Sequence, residues 1–426
     1  PENITLVGNA YATYDVEAVF IKTWEDYNFN KNHANTIEYV CESLDTTLLM
    51  FNNTQSLNHR LKFKYLIEQD LRIIKFGKEF DIPNAAFEGL ISSYNLLTTE
   101  MFLKSTFPEG AKIIKDQIVL IAERIINRVE FEDLFAASLD LQVCLQMIKS
   151  STDHEELEDG VSSLINFFST NFEVSDDLDI RRYSHIAEEN HFKIGKRDMS
   201  AFWEFIDNLK AKHTKLTNVL LPLKKKSKKS KLSNRLTYVD IAPQFEVSSC
   251  KLPTSLLLAV TKGFEYSEIA KNKNLFDEIP NMKENYDYAL ELIRSCYHIF
   301  MESGSSFTPT SVLFNDGSIT AANHKDLVLS KYGSYYYNPN SSKGMVRDDI
   351  LEAVYNAYYV TRSRTFQLWI FEIFEYYVKD EGVVRDEMWF AHTLRYLYLS
   401  FLNYNEGVDH KKVVFTQKGH MYSVLE

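Results

Sequence analysis

With 426 residues, 45% of them hydrophobic and 25% charged, the chain is too rich in apolar mass to be disordered over most of its length. It is also too long for one typical core, so two lobes are expected. Gly 14 and Pro 9 are too few for the frequent turns of an all-β protein, and the formal net charge of -12 excludes a uniformly basic binder but not a cleft that is basic inside and acidic outside.

The first 34 residues read as irregular or strand-like, with Asn-rich punctuation. They show no basic region followed by an apolar run, so no signal peptide is expected. The leading Pro suits a mature end left after loss of an initiator Met. From Thr36 the pattern is helical. In "HRLKFKYLIEQDLRIIKFGKEF", Leu61, Tyr65, Leu66, Leu71 and Ile74 recur at helix-compatible spacing, and Gly77 and Pro83 then punctuate the chain. Ile114, Ile118, Ile121, Ile125 and Val129 form the clearest stripe, with Lys112, Lys115, Arg124 and Arg128 off it. Further helices are expected at 133–150, 155–170 and 198–213.

The segment Pro222 to Leu236 then concentrates Lys224, Lys225, Lys226, Lys228, Lys229, Lys231 and Arg235 with no acidic residue. It reads as a linker, a nuclear signal or a loop that contacts phosphates, since Lys neutralises phosphate without reading bases. "TYVDIAPQFEVSS" is extended or irregular. Helix resumes at Thr254 and runs with breaks to about Ser303. A loop or short hairpin follows, with a turn signal at Asn315-Asp316-Gly317. Helix returns over 346–379 and 385–403. The tail 408–426 reads as a short hairpin or an extended arm.

The fold class is therefore mainly α: two helical lobes, 1–220 and 241–426, with a basic inter-lobe segment at 221–240 and extended terminal arms. Cys41, Cys144, Cys250 and Cys296 are scattered, with no CxxC pair, which fits lone thiols in a reducing compartment. No apolar stretch reaches membrane-spanning length, because "FQLWIFEIFEYYV" is broken by Glu372 and Glu375.

No catalytic signature is present: neither a Gly-rich phosphate loop nor a GxSxG elbow occurs. His185 and His191 are six apart and do not share a helix face, which removes a zinc reading of "HIAEENH". The acidic clusters at His154–Gly160 and Ser175–Ile180 read as solvated. The expectation is a protein that is not an enzyme and carries no metal or cofactor. Basic groups beside tyrosines are more informative. Arg347 and Arg362 are placed to line one side of a groove along a helix striped by Ile350, Leu351, Val354, Tyr355, Tyr358 and Tyr359. Lys331 and Arg364 lie nearby, and Arg385, His392 and Arg395 share a face of the next helix. Charge for phosphates and flat rings for bases suit single-stranded RNA.

The order "SKYGSYYYNPN", helix, "VTRSR" resembles the C-terminal lobe of nucleoproteins of negative-strand RNA viruses, rhabdovirus-like ones in particular. The resemblance spans about 35 residues and implies two helical lobes, an RNA cleft and arms that grip neighbouring subunits. It also implies a location in the virion and host cytoplasm. The resemblance puts Lys331, Arg347, Arg362 and Arg364 at the RNA, and the separate phosphate reading of the lysine segment, which the family pattern does not place, adds Lys224, Lys225, Lys226, Lys228 and Lys229; RNA and further copies of the chain are the expected partners. The alternatives are a capsid protein of a small double-stranded RNA virus and a cellular helical scaffold or adaptor.

Overall fold

A computed structural model describes residues 2–29, 36–76, 82, 86–128, 199–211, 214–216, 219–221, 244–303 (apart from 270, 273, 275 and 278), 308–314, 326–340, 348–379, 388–402 and 407–423 (apart from 417). The lysine segment, Arg347, Arg385, Cys144, the expected helices at 133–150 and 155–170, the turn at 315–317 and the three His- or acid-rich motifs lie outside these residues. The described chain is mainly helical. It groups into two compact units, one formed by 1–174 with 385–426 and the other by 175–384.

The first unit is built from both ends of the sequence. Its helices are α1 (Glu2–Phe29), α2 (Thr36–Asn53), α3 (Leu57–Phe76), α4 (Phe87–Thr99), α5 (Met101–Thr106) and α6 (Gly110–Arg128). The N-terminal stretch is thus not an irregular arm. Ala12, Val16, Phe20 and Trp24 recur every four residues and are all buried, which is the helical stripe that the Asn-rich punctuation obscured. In α6, Ile114, Ile118 and Ile121 are buried as their spacing requires. In α3 the buried face runs through Phe63, Leu66, Ile67, Leu71 and Ile74, while Leu61 and Tyr65 face solvent.

Helix α2 is the axis of this unit. Every residue from Val40 to Phe51 is buried, so its polar residues are buried along with its apolar ones. It packs against α3 and α4. The approach to α4 is close at Gly89, where an added Cβ would sit 2.4 Å from the Cys41 carbonyl oxygen. Backbone, not a flexible side chain, blocks the space. Gly89→Ala should therefore force the helices apart and cost about 1–3 kcal/mol. A denaturant midpoint equal to that of the parent protein would show that the α2–α4 contact is not rigid.

The unit is completed by the C-terminal segment. A single π turn at Trp389–Thr393 leads into α13 (Leu394–Phe401), and the strands β7 (Val413–Phe415) and β8 (Met421–Ser423) follow. The strands form an antiparallel hairpin with Val414 opposite Tyr422, and its turn is closed by Gly419 at φ +82°. Phe390 of the π turn meets Phe20 and Trp24 of α1 edge-on, at 5.1 and 5.3 Å. The tail is thus an internal part of the first unit and not an arm reaching outward: Val414, Met421 and Tyr422 are buried.

The second unit contains α7 (Ser200–Ala211), α8 (Lys251–Thr261), α9 (Tyr266–Ile269), α10 (Met282–Ser303), α11 (Asp348–Thr361) and α12 (Arg364–Lys379). The short strands β1 (Thr214–Leu216) and β2 (Val219–Leu221) pair with each other. An antiparallel sheet has the order β3 (Gln244–Glu246), β4 (Ser311–Phe314), β6 (Tyr335–Tyr337), β5 (Val328–Leu329). Helix α8 packs on α10 and α11, around Leu256, Val260, Ile293, Ile350 and Val354. The expected single helix over 346–379 breaks at Arg362, whose φ of +51° ends α11 in the left-handed conformation while its N–H still reaches the Tyr358 carbonyl at 2.7 Å.

Cys250 and Cys296 form a disulfide that ties the turn before α8 to α10. This corrects the reading of lone thiols in a reducing compartment, because such bridges persist in oxidising ones. Only Cys41, buried in α2, is a free thiol among the described residues. No helix among those residues is long and apolar enough to cross a membrane.

Candidate functional site

Part of the Ser/Tyr-rich segment expected to line an RNA groove is turned inward, while Tyr332 faces solvent. Tyr335 is buried and donates its hydroxyl to the Ile299 carbonyl at 2.6 Å, and Tyr337 donates to the Ser303 carbonyl at 3.1 Å. Ser330 and Ser334 both donate to Glu302, at 2.9 and 2.8 Å. These groups hold the strand-turn-strand segment against α10; they are not presented to bases. Tyr355 and Tyr359 are buried as well. Arg362 is committed to Glu265, with Nη2 and Nε at 2.6 and 2.9 Å from one carboxylate oxygen, and it lies over the Tyr359 ring at 4.6 Å. Lys331 is exposed and lies over Tyr332, and Arg364 is exposed at the start of α12. Of the described members of the set, Arg362 is ion-paired with Glu265, and Lys331 and Arg364 are exposed.

Among the described residues, a dense cluster of buried ionisable side chains lies instead in the first unit. Glu42 and Asp45 sit on α2, almost one helical turn apart, at 1% and 0% exposure. Two ionised carboxylates in such a place require cations. Arg395 supplies one from α13. Its guanidinium, also at 0% exposure, binds Asp45, donates to the Thr46 hydroxyl at 2.7 Å and reaches the Gly419 carbonyl. The hairpin turn supplies the others. His420 bridges the two acids, with Nε2 at 2.5 Å from Glu42 and Nδ1 at 2.8 Å from Asp45. Lys418 places its ammonium 2.7 Å from the other Glu42 oxygen.

Charge decides the protonation states here. Burial alone would lower the His420 imidazole, but Asp45 and Glu42 raise it to about 9. Burial alone would raise both acids, yet His420 with Lys418 holds Glu42 below the ordinary range, and Arg395 with His420 does the same for Asp45. Arg395 is lowered by burial, and a guanidinium remains charged regardless. Near neutral pH the cluster is two carboxylates, an imidazolium, a guanidinium and an ammonium.

A third carboxylate borders the cluster. Glu88, in the first turn of α4, is half-buried and accepts a hydrogen bond from the Thr416 hydroxyl at 2.5 Å. Thr416 also accepts from the His420 amide at 3.2 Å. One turn along α4, Ser92 accepts from the Met421 amide at 3.1 Å. The hairpin turn is thus fastened to α2, α4 and α13. Its closing residue Gly419 has no room for a side chain: an added Cβ would lie 2.7 Å from the His392 ring.

Sequence reading missed this site because its members are far apart in the chain. Arg395 and His392 were placed on a shared face, but for an open groove. Asp45 and His420 are separated by 375 residues. No spacing rule connects them. Glu42 and Asp45 share α2 with Glu38 and with Ser43, Thr46 and Thr47, so the helix sequence does not mark them out. No group of three or more His, Cys, Asp and Glu side chains among the described residues has a geometry suited to a metal ion.

Comparison with known proteins supplies the chemical context. The profile of glycosyl hydrolase family 47 matches residues 192–424, more than half of the chain. The chain is 23% identical over 212 residues to the endoplasmic reticulum mannosyl-oligosaccharide 1,2-alpha-mannosidase of Saccharomyces cerevisiae, which covers 44% of this chain and 37% of that protein. The protein of the same name from Schizosaccharomyces pombe is 21% identical over 206 residues, 43% of this chain and 37% of the relative. The mouse protein of that name is 24% identical over 192 residues, 40% and 25% respectively. The match thus spans little more than a third of the yeast relatives. These findings overturn the resemblance to viral nucleoproteins, and with it the RNA-encapsidating role, the RNA and self-assembly partners, the virion location and the expectation of a non-enzyme. The overturned resemblance rested on a short Ser/Tyr segment whose polar groups serve α10.

Proposed function

The chain belongs to glycosyl hydrolase family 47, and we propose on that premise that it hydrolyses 1,2-linked α-mannose residues of mannosyl-oligosaccharides. The family match over residues 192–424 carries this reading, and the names of the relatives supply the linkage and the sugar. We also propose the endoplasmic reticulum as its compartment. The Cys250–Cys296 disulfide supports this, since the reducing cytosol does not sustain such bridges. Glycoside hydrolysis uses two carboxyl groups, one giving a proton to the leaving oxygen and one acting on water or on the sugar.

A second reading is favoured by one observation. Glu42 and Asp45 are buried, ion-paired and held below the ordinary carboxylate range, which is the wrong direction for a proton donor. On this reading the chain binds the glycan without cleaving it. One experiment separates the two. The purified, disulfide-bonded chain is incubated with an oligosaccharide bearing terminal α-1,2-linked mannose, and the products are followed by mass spectrometry alongside calorimetric titration. Loss of hexose units supports hydrolysis. Binding with an unchanged glycan mass supports the second reading, and the absence of both overturns the proposal.

A further inference from the structure

We infer that the outer face of α3 docks on an anionic phospholipid surface, with its leucines and aromatic rings in the headgroup layer and its cations on lipid phosphates. The inference does not depend on the glycan-directed reading above. Helix α3 carries two apolar faces. One runs through Phe63, Leu66, Ile67, Leu71 and Ile74 and is buried in the first unit. The other points to solvent: Leu57, Leu61, Tyr65 and Phe76 are between 59% and 70% exposed. At 3.6 residues per turn these four fall within about 100° of one another, on the side opposite the buried face. They form one stripe along about 30 Å of helix. A helix that is apolar on both sides has a second surface still to cover.

The charges beside the stripe decide what covers it. The chain has a formal net charge of -12, yet the exposed charged side chains of α3 are Lys62, Lys64, Arg72 and Lys75 against Glu68 alone. Lys62 reaches Glu25 of α1 at 3.2 Å, and Lys64 reaches Glu68 at 3.9 Å. Both pairs are about half exposed, so water screens them and a lipid phosphate can take the acid's place. Arg72 and Lys75 take part in no ion pair among the described residues. A cationic, apolar face on an acidic protein complements an anionic surface, and each Lys or Arg beside an anionic membrane strengthens binding about fivefold. The composition of the face favours lipid over a protein partner. Protein interfaces are depleted of lysine at their centres, whereas here lysines flank the stripe. Their long stems let the leucines and rings sink while the ammonium groups stay at headgroup level. No helix among the described residues is long and apolar enough to cross a bilayer, so the contact is peripheral.

The test floats the full chain with vesicles of phosphatidylcholine, with and without phosphatidylserine. Binding is expected to the vesicles that contain phosphatidylserine, and it should weaken as salt is raised. Leu57→Ser with Leu61→Ser should weaken it about 10-fold or more, and Arg72→Gln with Lys75→Gln about 30-fold. All four side chains are exposed, so the melting temperature should not move. The lysines between 224 and 229 can bind such vesicles by charge alone. Both pairs of changes are therefore also made in a chain in which Lys224, Lys225, Lys226, Lys228 and Lys229 are replaced by Gln. Binding that persists in that background and falls with the α3 changes supports the inference. Binding to neither vesicle, binding that disappears with the five lysines, or binding that survives both α3 pairs overturns it. A stable dimer in light scattering that Leu57→Ser with Leu61→Ser dissociates also overturns it, because the stripe then belongs to a second copy of the chain.

Discussion

Replacing Arg395 with Ala should destabilise the first unit by about 3–5 kcal/mol, a large fraction of the stability of a typical domain. The side chain is at 0% exposure and joins Asp45, Thr46 and the Gly419 carbonyl. Its removal leaves Asp45 ionised, buried and short of its main counter-charge. It also leaves the Gly419 carbonyl without its guanidinium donor and opens a cavity between α2 and α13. Arg395→Lys keeps the charge but cannot span these acceptors with one planar fork, so it should recover only part of the loss. The informative comparison is the double change Arg395→Met with Asp45→Leu, which removes both charges and fills the space. It should be more stable than Arg395→Ala alone, because an unpaired buried charge costs more than an absent pair. Urea unfolding followed by tryptophan fluorescence reads this directly, as Trp24 and Trp389 are buried in the same unit. Equal stability of Arg395→Ala and the parent protein would mean that Asp45 finds water or another cation.

Much of the helical content was legible before the structure, and the reason is local. The Ile114, Ile118, Ile121 stripe needs only the helical period, and a hairpin was one of the two forms expected for the tail. What failed was of two kinds. Residues 2–29 read as irregular from their Asn content, because the segment as a whole has no net apolar face even though Val16, Phe20 and Trp24 within it are buried. The tyrosines of the 335–337 strand were read by residue type, when burial and hydrogen bonding decide what a tyrosine does. The site is of a third kind. The cluster brings the end of the chain onto a helix near its start, and the disulfide joins residues 46 apart. Such pairings follow from the tertiary path.

The cluster also sets a pH window. His420 is faced by Glu42 and Asp45 from α2 and by Arg395 from α13, with Lys418 beside it on the hairpin turn. Its imidazole is raised from the ordinary 6.5 to about 9 in the folded protein. A raised basic group stabilises the fold fully below its unfolded value, and that contribution is lost as pH rises through the folded value. A shift of this size corresponds to roughly 3 kcal/mol, all of it present below about pH 6.5 and gone above about pH 9. The acids act at the other end. Glu42 and Asp45 are lowered on folding, so their contribution is present above the unfolded carboxylate range near 4 and is lost as pH falls through their folded values. The cluster is therefore most stabilising between about pH 4.5 and 6.5, and at pH 7 His420 is still charged in the fold. His420→Gln keeps a hydrogen-bonding side chain but removes the charge. It should lower stability by about 3 kcal/mol near pH 6, flatten the alkaline limb between pH 6.5 and 9, and also weaken the acid limb, because His420 helps to hold Glu42 and Asp45 low. Melting temperatures of both proteins from pH 4 to 10 test this. Parallel alkaline limbs in the two would show that the proton bound on folding resides elsewhere. A parent protein as stable at pH 9 as at pH 6 would mean that His420 is neutral in the fold and that Lys418 and Arg395 alone balance the two acids.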